Sequence, residues 1–252
     1  MTLNHPPATH RGDRALRPER RTGQQTAVGA RIVDIAALRE DGSMVVGQRR
    51  VPAMPLFDAA FSAFAQGTLI QTDTGQASIE DLQPGDRVLT SDGEMSEITW
   101  IGSAVFAPAE NASKMPLTRI VADSFGVSRP DSFISLGAGA RLLQPLPGMS
   151  GGREGQQVMT PASAFVDGVN VIGMSPPTPV RLFHIALRRH AAIIAAGLEV
   201  ESYHPGRDPL RNVSQTLSDV FMTLFPHMDT LGAFGAVRFM RFNPGDEDLT
   251  AA

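Results

Sequence analysis

Ser62 and Thr68 bracket the run Ala63-Phe64-Ala65-Gln66-Gly67, while His184 and His190 stand close together much later in the chain. Nucleophilic catalysis needs such a hydroxyl beside a base that takes its proton. The plainer reading of Ser62 is an ordinary serine ahead of a strand, because a one-residue slip would turn every side chain of that strand to its other face. Thr68 belongs to a turn-and-strand pattern and is expected to be structural. His184 and His190 are also the closest two of the six histidines within the stretch expected to fold. No Asp or Glu lies between them, so a closed metal site would need distant ligands, and packed or hydrogen-bonded histidines are expected instead. Glu199 and Glu201 could act as paired carboxylates in acid–base work, but strand alternation places both on one face beside a turn, the pattern of a solvated face.

Other chemistries are excluded by what is missing. The chain has no cysteine, which removes thiol nucleophiles, thiolate metal sites and disulfides. Gly137-x-Gly139 lacks the third glycine of a dinucleotide-binding loop and does not open a helix after a clear parallel strand. There is no Walker-type loop and no Gly-x-Ser-x-Gly elbow. Asn111-Ala112-Ser113 matches the glycosylation pattern, which is too common to assign a role.

The 252 residues, 42% hydrophobic and 19% charged, have the composition of a soluble globular protein large enough for a sizeable core. No run approaches the ~18 apolar residues of a membrane-spanning helix. A net charge of -4 gives no reason to expect nucleic-acid binding. Of the basic residues only Lys114 is a lysine. Met1 to Arg21 has no apolar core of a signal peptide, so the expected location is cytoplasmic, with signal-less secretion left open.

The positioning elements read as β. Residues 1–28 are polar and rich in Pro and Arg, the composition of a disordered arm. Residues 29–56 are a partly ordered, β-prone segment, with Arg31–Ile35 and Met44–Val46 on either side of the turn Glu40-Asp41-Gly42-Ser43. Leu56–Phe64 suits either a strand or a helical turn. From Gly67 to Gly102 short strands alternate with the turns Asp73-Thr74-Gly75, Gln83-Pro84-Gly85-Asp86 and Ser91-Asp92-Gly93. Further strands are expected at Leu117–Ala122, Gly139–Leu143, Val158–Thr160, Asn170–Ile172, Val180–Leu187, Ala191–Ala196 and Leu198–Ser202, with a loop over 144–157. An amphipathic helix over 207–226 follows, with Asp208 as cap, Pro209 at its first position and an apolar stripe from Leu210 to Leu224. Residues 227–252 read as a tail, fraying from Asn243 onward.

Two blocks of residues resemble a known family. Phe64-x-x-Gly67-Thr68-Leu69-Ile70-x-Thr72-x-x-Gly75, with Glu80-Asp81-Leu82-x-Pro84-Gly85-Asp86-x-Val88 and Trp100-Ile101-Gly102, is similar to the opening of bacterial Hint domains, the fold shared by hedgehog autoprocessing domains and inteins. Phe183-His184-x-x-Leu187-x-Arg189-His190, Gly197 and Glu201-Ser202-Tyr203-x-Pro205-Gly206 resemble the closing block of the same group. The resemblance spans roughly 57–206.

The resemblance implies a compact all-β Hint-like fold, and it implies self-processing chemistry. An active Hint domain begins with a cysteine or serine that attacks the preceding carbonyl in an N-to-S or N-to-O acyl shift, helped by a histidine on the scissile amide. In this chain the nucleophile position falls on Ala63. The amide-contacting histidine aligns with Ala140, within Gly137-Ala138-Gly139-Ala140-Arg141-Leu142-Leu143. With both side chains missing, and Thr68, His184 and His190 kept as vestigial positions, a non-processing scaffold or binding module is expected. The alternative is self-cleavage through Ser62 or another nucleophile. No cofactor is called for, and a protein partner is left unspecified.

Overall fold

Alternation of apolar and polar side chains decides the first element. In Ala30–Leu38 the residues Val33, Ile35 and Ala37 are buried and their neighbours are not, the period-two pattern of a strand with one face on a core. The computed structural model describes residues 1–2, 29–107, 117–146 and 157–244. The arm expected over 1–28, apart from Met1 and Thr2, the Asn111 sequon, most of the 144–157 loop and the chain end from residue 245 fall outside them.

In chain order the strands are β1 (Ala30–Leu38), β2 (Met44–Pro52), β3 (Phe64–Ala65), β4 (Leu69–Thr72), β5 (Gly75–Ser78), β6 (Arg87–Leu89), β7 (Met95–Phe106) and β8 (Leu117–Ile120). They continue as β9 (Ile134–Leu136), β10 (Arg141–Pro145), β11 (Gln157–Pro161), β12 (Val171–Met174), β13 (Val180–Leu187), β14 (Ala192–Ala195), β15 (Leu198–Glu201) and β16 (Met240–Arg241). The two α-helices are α1 (Pro55–Asp58) and α2 (Gln215–Met222). The all-β expectation therefore holds.

β7 organises the sheet. Its first residues pair with β6, and the remainder pairs with β13 on one side and β1 on the other, all antiparallel. From β13 the order runs through β3, β9 and β8 to β12; from β6 it runs through β4, β14, β15, β10 and β11 to β16. Sequence suggested a strand ending at Gly102, yet β7 continues to Phe106. The reason is packing: a Cβ on Gly102 would sit 2.2 Å from the Trp100 ring and 2.6 Å from Phe61. Glycine lets the strand pass between two aromatic rings.

Two apolar clusters lie on opposite sides of this strand system. One gathers Ala63, Phe64, Ile70, Ile79, Ile98 and Ile185. The other gathers Val33, Ile35, Phe57, Phe61, Trp100 and Phe225. The segment 29–56 is thus an ordered hairpin in full register, from Ala30 opposite Pro52 to Leu38 opposite Met44, and it contributes apolar side chains to the second cluster. Each such buried Val, Ile or Phe contributes roughly 1.5–3 kcal/mol.

The C-terminal region departs from expectation in two respects. Helix α2 starts at Gln215, capped by Ser214, whose hydroxyl accepts from Leu217 N, whereas Asp208 closes only a turn through Arg211 N. Ser214 offers a free side-chain acceptor at the point where the helical spacing becomes regular. Residues 227–244 are not a loose tail. A short 3-10 turn at Leu231–Phe234 buries Phe234, and β16 pairs in parallel with β11.

Candidate functional site

The chain passes from one core to the other at Ser62. Phe61 is packed in the Trp100 cluster, Ala63 and Phe64 in the opposite one, and a 3-10 turn over Ala59–Phe61 makes the crossing. Ser62 and Ala63 are 1% and 0% exposed.

The 137–140 loop is clamped onto this junction by main-chain bonds. Gly139 N donates to the Ser62 carbonyl at 2.9 Å, Gly137 N donates to the Ala63 carbonyl at 2.8 Å, and Ala63 N donates to the Phe183 carbonyl at 3.0 Å. Both glycines are required by close approach. A Cβ on Gly137 would lie 2.2 Å from the Ser62 carbonyl oxygen, and one on Gly139 would lie 2.8 Å from Ser62 Oγ. Ala140, 1% exposed, follows directly and joins the same apolar cluster as Ala63. The structure therefore brings together the two loops that the sequence resemblance pairs, with a methyl group at each assigned position.

The hydroxyls and imidazoles nearby are committed elsewhere. Thr68 Oγ1 donates to the Ala65 carbonyl at 2.7 Å, a turn-closing role. His184 places Nδ1 3.1 Å from the Ala59 carbonyl and Nε2 3.4 Å from the Glu201 carbonyl, with its ring edge-on to Phe64 and Tyr203. Burial pushes its pKa down to about 4, against a smaller upward pull from the Ala59 carbonyl, so the ring is neutral and its shorter contact carries the proton on Nδ1. Among the described residues no histidine nitrogen meets the Ser62 hydroxyl.

His190 belongs to a different constellation. Its Nε2 lies 3.0 Å from Glu201 Oε1, while Nδ1 accepts from the main-chain N–H of Arg238 at 3.0 Å. Arg241 Nε donates to the same Glu201 oxygen at 2.9 Å, and Arg141 Nε stands 3.9 Å from the other. Glu201 is 2% exposed, which corrects the solvated face expected for Glu199 and Glu201. Burial raises the Glu201 pKa, but the His190 N–H and the Arg241 guanidinium outweigh it and hold the carboxyl below its usual range. Glu199 instead receives a two-pronged bond from Arg129, at 2.9 and 2.6 Å. The partner of Glu201 on β16, Arg241, lies forty residues away and carries no periodic signal, so sequence reasoning missed it. Among the described residues no group of three or more His, Asp or Glu could hold a metal ion.

The Hint domain family model matches residues 62–207, more than half of the chain. The chain belongs to the Hint domain family. The match opens at the crossing serine and closes just past the Glu201 block, so the hairpin β1–β2 and everything from Asp208 onward lie outside the Hint match. Among solved structures it is similar to a bacterial intein-like domain from Clostridium thermocellum, 13% identical, over 57% of this chain and 99% of that one at a TM-score of 0.38. It is also similar to a DnaB intein from Synechocystis sp. PCC 6803, 13% identical, over 56% of this chain and 99% of that one at a TM-score of 0.34. No curated protein matches.

His184 makes a pH prediction for this Hint domain. Its folded pKa of about 4 lies below the ordinary 6.5, so the unfolded chain binds more protons between these values. Stability is therefore complete above about pH 6.5 and falls as pH drops toward 4, by about 3 kcal/mol from this group. His227, which burial also lowers to about 4, acts in the same direction. Urea midpoints across that range should show a shallower acid slope in His184→Asn, whose amide can still donate to Ala59.

Proposed function

We propose that this Hint domain does not process itself and serves as a scaffold or binding module. The carrying observation is the filled junction: Ala63 and Ala140 present buried methyl groups where the family chemistry calls for a nucleophile and an amide-contacting histidine. An acyl shift forms a new bond from sulfur or oxygen to the preceding carbonyl carbon, and a methyl group has no lone pair with which to form it. Gly139 N–H still polarises the Ser62 carbonyl, but polarisation without an attacking atom leaves the peptide bond intact.

The upstream segment supports the same reading. β1 is a neighbour of β7 from Val33 opposite Ala104 to Ala37 opposite Trp100, and Phe57 and Phe61 are fully buried. A self-releasing domain needs its upstream chain to leave, whereas here that chain supplies part of the core. Among the described residues no basic side chain meets the hydroxyl of Ser62, the other candidate nucleophile, so none of them takes its proton.

Intact mass of the purified full chain, before and after incubation with a thiol or hydroxylamine, tests this reading. The expected result is a single species of 26.9 kDa under every condition. Fragments ending just before Ala63 or Ser62 would overturn it, and persistence of cleavage in Ser62→Ala would then remove Ser62 as the nucleophile.

A further inference from the structure

The hairpin β1–β2 lies upstream of the Hint match and covers one edge of β7 only by presenting another. Among the described residues β2 pairs with β1 alone. Which of its main-chain groups point outward follows from the bonds at the two ends of the hairpin. Arg39 N donates to the Ser43 carbonyl at 2.9 Å, and Ala53 N donates to the Gly29 carbonyl at 2.7 Å. Bonded and non-bonded positions alternate along an antiparallel pair, so Val45, Gly47 and Arg49 bond β1, while Met44, Val46, Gln48 and Arg50 turn N–H and C=O away from it. The same four side chains stand on the exposed face, Val46 at 71% and Met44 at 47%.

An edge of this kind accepts another strand unless something blocks it. The register from Ala30 to Pro52 has no bulge, and the proline of β2 stands at its end. The Gln48 carbonyl accepts from Arg49 Nη1 at 2.9 Å, and its second lone pair is left for another donor. Charge selects the partner. The turn before β2 carries Glu40 and Asp41, with Arg39 offsetting one of them, and the far end of the strand carries Arg49 and Arg50. Among the described residues neither Glu40 nor Arg50 enters an ion pair. An antiparallel copy of the same strand brings each acidic end against a basic one, whereas a parallel copy would set like charges side by side.

We propose that two copies of this chain pair through β2, antiparallel about a two-fold axis at Val46. The interface is isologous, the same strand edge on both sides. Val46 lies beside Val46 of the second copy, an apolar pair on the exposed face, and Met44 exchanges main-chain bonds with Gln48 of the second copy. Arg50 stands opposite Gly42 of the second copy, next to Glu40 and Asp41. A slip by one residue would bring groups already bonded to β1 to the seam and break the pairing. The second copy is thus the partner of the binding module proposed above, on which this inference rests, and the sheet runs on from one copy into the other.

Sedimentation velocity of the full chain over about 1 to 500 μM tests the pairing. The mass is expected to rise from 26.9 kDa toward twice that value with concentration. Val46→Pro removes one outward N–H and none of the bonds to β1, so it should keep the wild-type circular dichroism and weaken self-association at least about tenfold. Arg50→Glu and Glu40→Arg should each weaken it by about tenfold. An equimolar mixture of these two variants should form a heterodimer, because the acidic turn of one then meets Arg50 of the other and the basic turn meets the new carboxylate. These surface charges carry the test even where proline disturbs the hairpin. Intact mass of the same samples reads self-processing separately from association. A chain monomeric at every concentration, a dimer that Val46→Pro leaves as tight as before in a folded chain, or a mixture without heterodimer would overturn the proposal.

Discussion

Replacing Trp100 by alanine should lower folding stability by about 3–5 kcal/mol, a large part of the 5–15 kcal/mol on which a typical domain stands. Trp100 is fully buried in the middle of β7, where the hairpin, the Ala59–Phe61 turn and the C-terminal helix converge. Its ring lies 5.8 Å from that of Phe61, 5.7 Å from Tyr203 and 5.0 Å from Phe225. The indole Nε1–H donates to the Leu224 carbonyl at 2.7 Å, just past the Thr223 cap of α2. Alanine leaves a cavity lined by three aromatic rings and an unsatisfied buried carbonyl, and both terms act in the same direction. The C-terminal segment should loosen first, since Phe221, Leu224 and Phe225 are buried in the same cluster. Urea unfolding followed by far-UV circular dichroism measures the loss; a decrease below about 1 kcal/mol would contradict this account of the cluster.

Glu201→Ala should cost a comparable amount, about 3–5 kcal/mol, because removing one member of a buried ion pair strands the others. Arg241 and the His190 N–H lose an acceptor, and Arg141 loses a nearby counter-charge at 3.9 Å. Glu201→Gln retains one acceptor oxygen and the side-chain volume, and its loss should be smaller. A Glu201→Leu replacement separates charge from packing. It fills the space but leaves the half-buried Arg241 without its anion, so it should remain close to alanine. Chemical denaturation of the three variants at neutral pH gives the order, and an alanine variant as stable as glutamine would show that the guanidinium groups find water.

Much of the β path could be read from local chemistry. The turns at Asp73-Thr74-Gly75 and Gln83-Pro84-Gly85-Asp86 and the hairpin turn after Leu38 depend on residues adjacent in sequence, and each turn appears where expected. Extent was harder to read. β7 runs on past Gly102 because the space a side chain would need is already filled by Trp100 and Phe61, a fact about neighbours forty residues upstream and within the strand itself. The Asp208-Pro209 start of a helix failed for a similar reason: the cap signal was present, but the regular apolar spacing that packs against Trp100 begins after Ser214.

The candidate site divides along the same line. Sequence by itself determined that the chain has the Hint pattern, since residue types and short spacings carry it, and the resemblance puts the expected nucleophile position on Ala63. Only the tertiary structure decided that the upstream hairpin completes the core, that Gly137 and Gly139 seal the Ser62–Ala63 peptide, and that Glu201 is buried among Arg241, Arg141 and His190. Those are contacts between residues tens to more than a hundred positions apart, made by side chains and carbonyls whose partners have no fixed offset in the chain. Periodicity reports which face of a strand is buried; it does not report what that face meets.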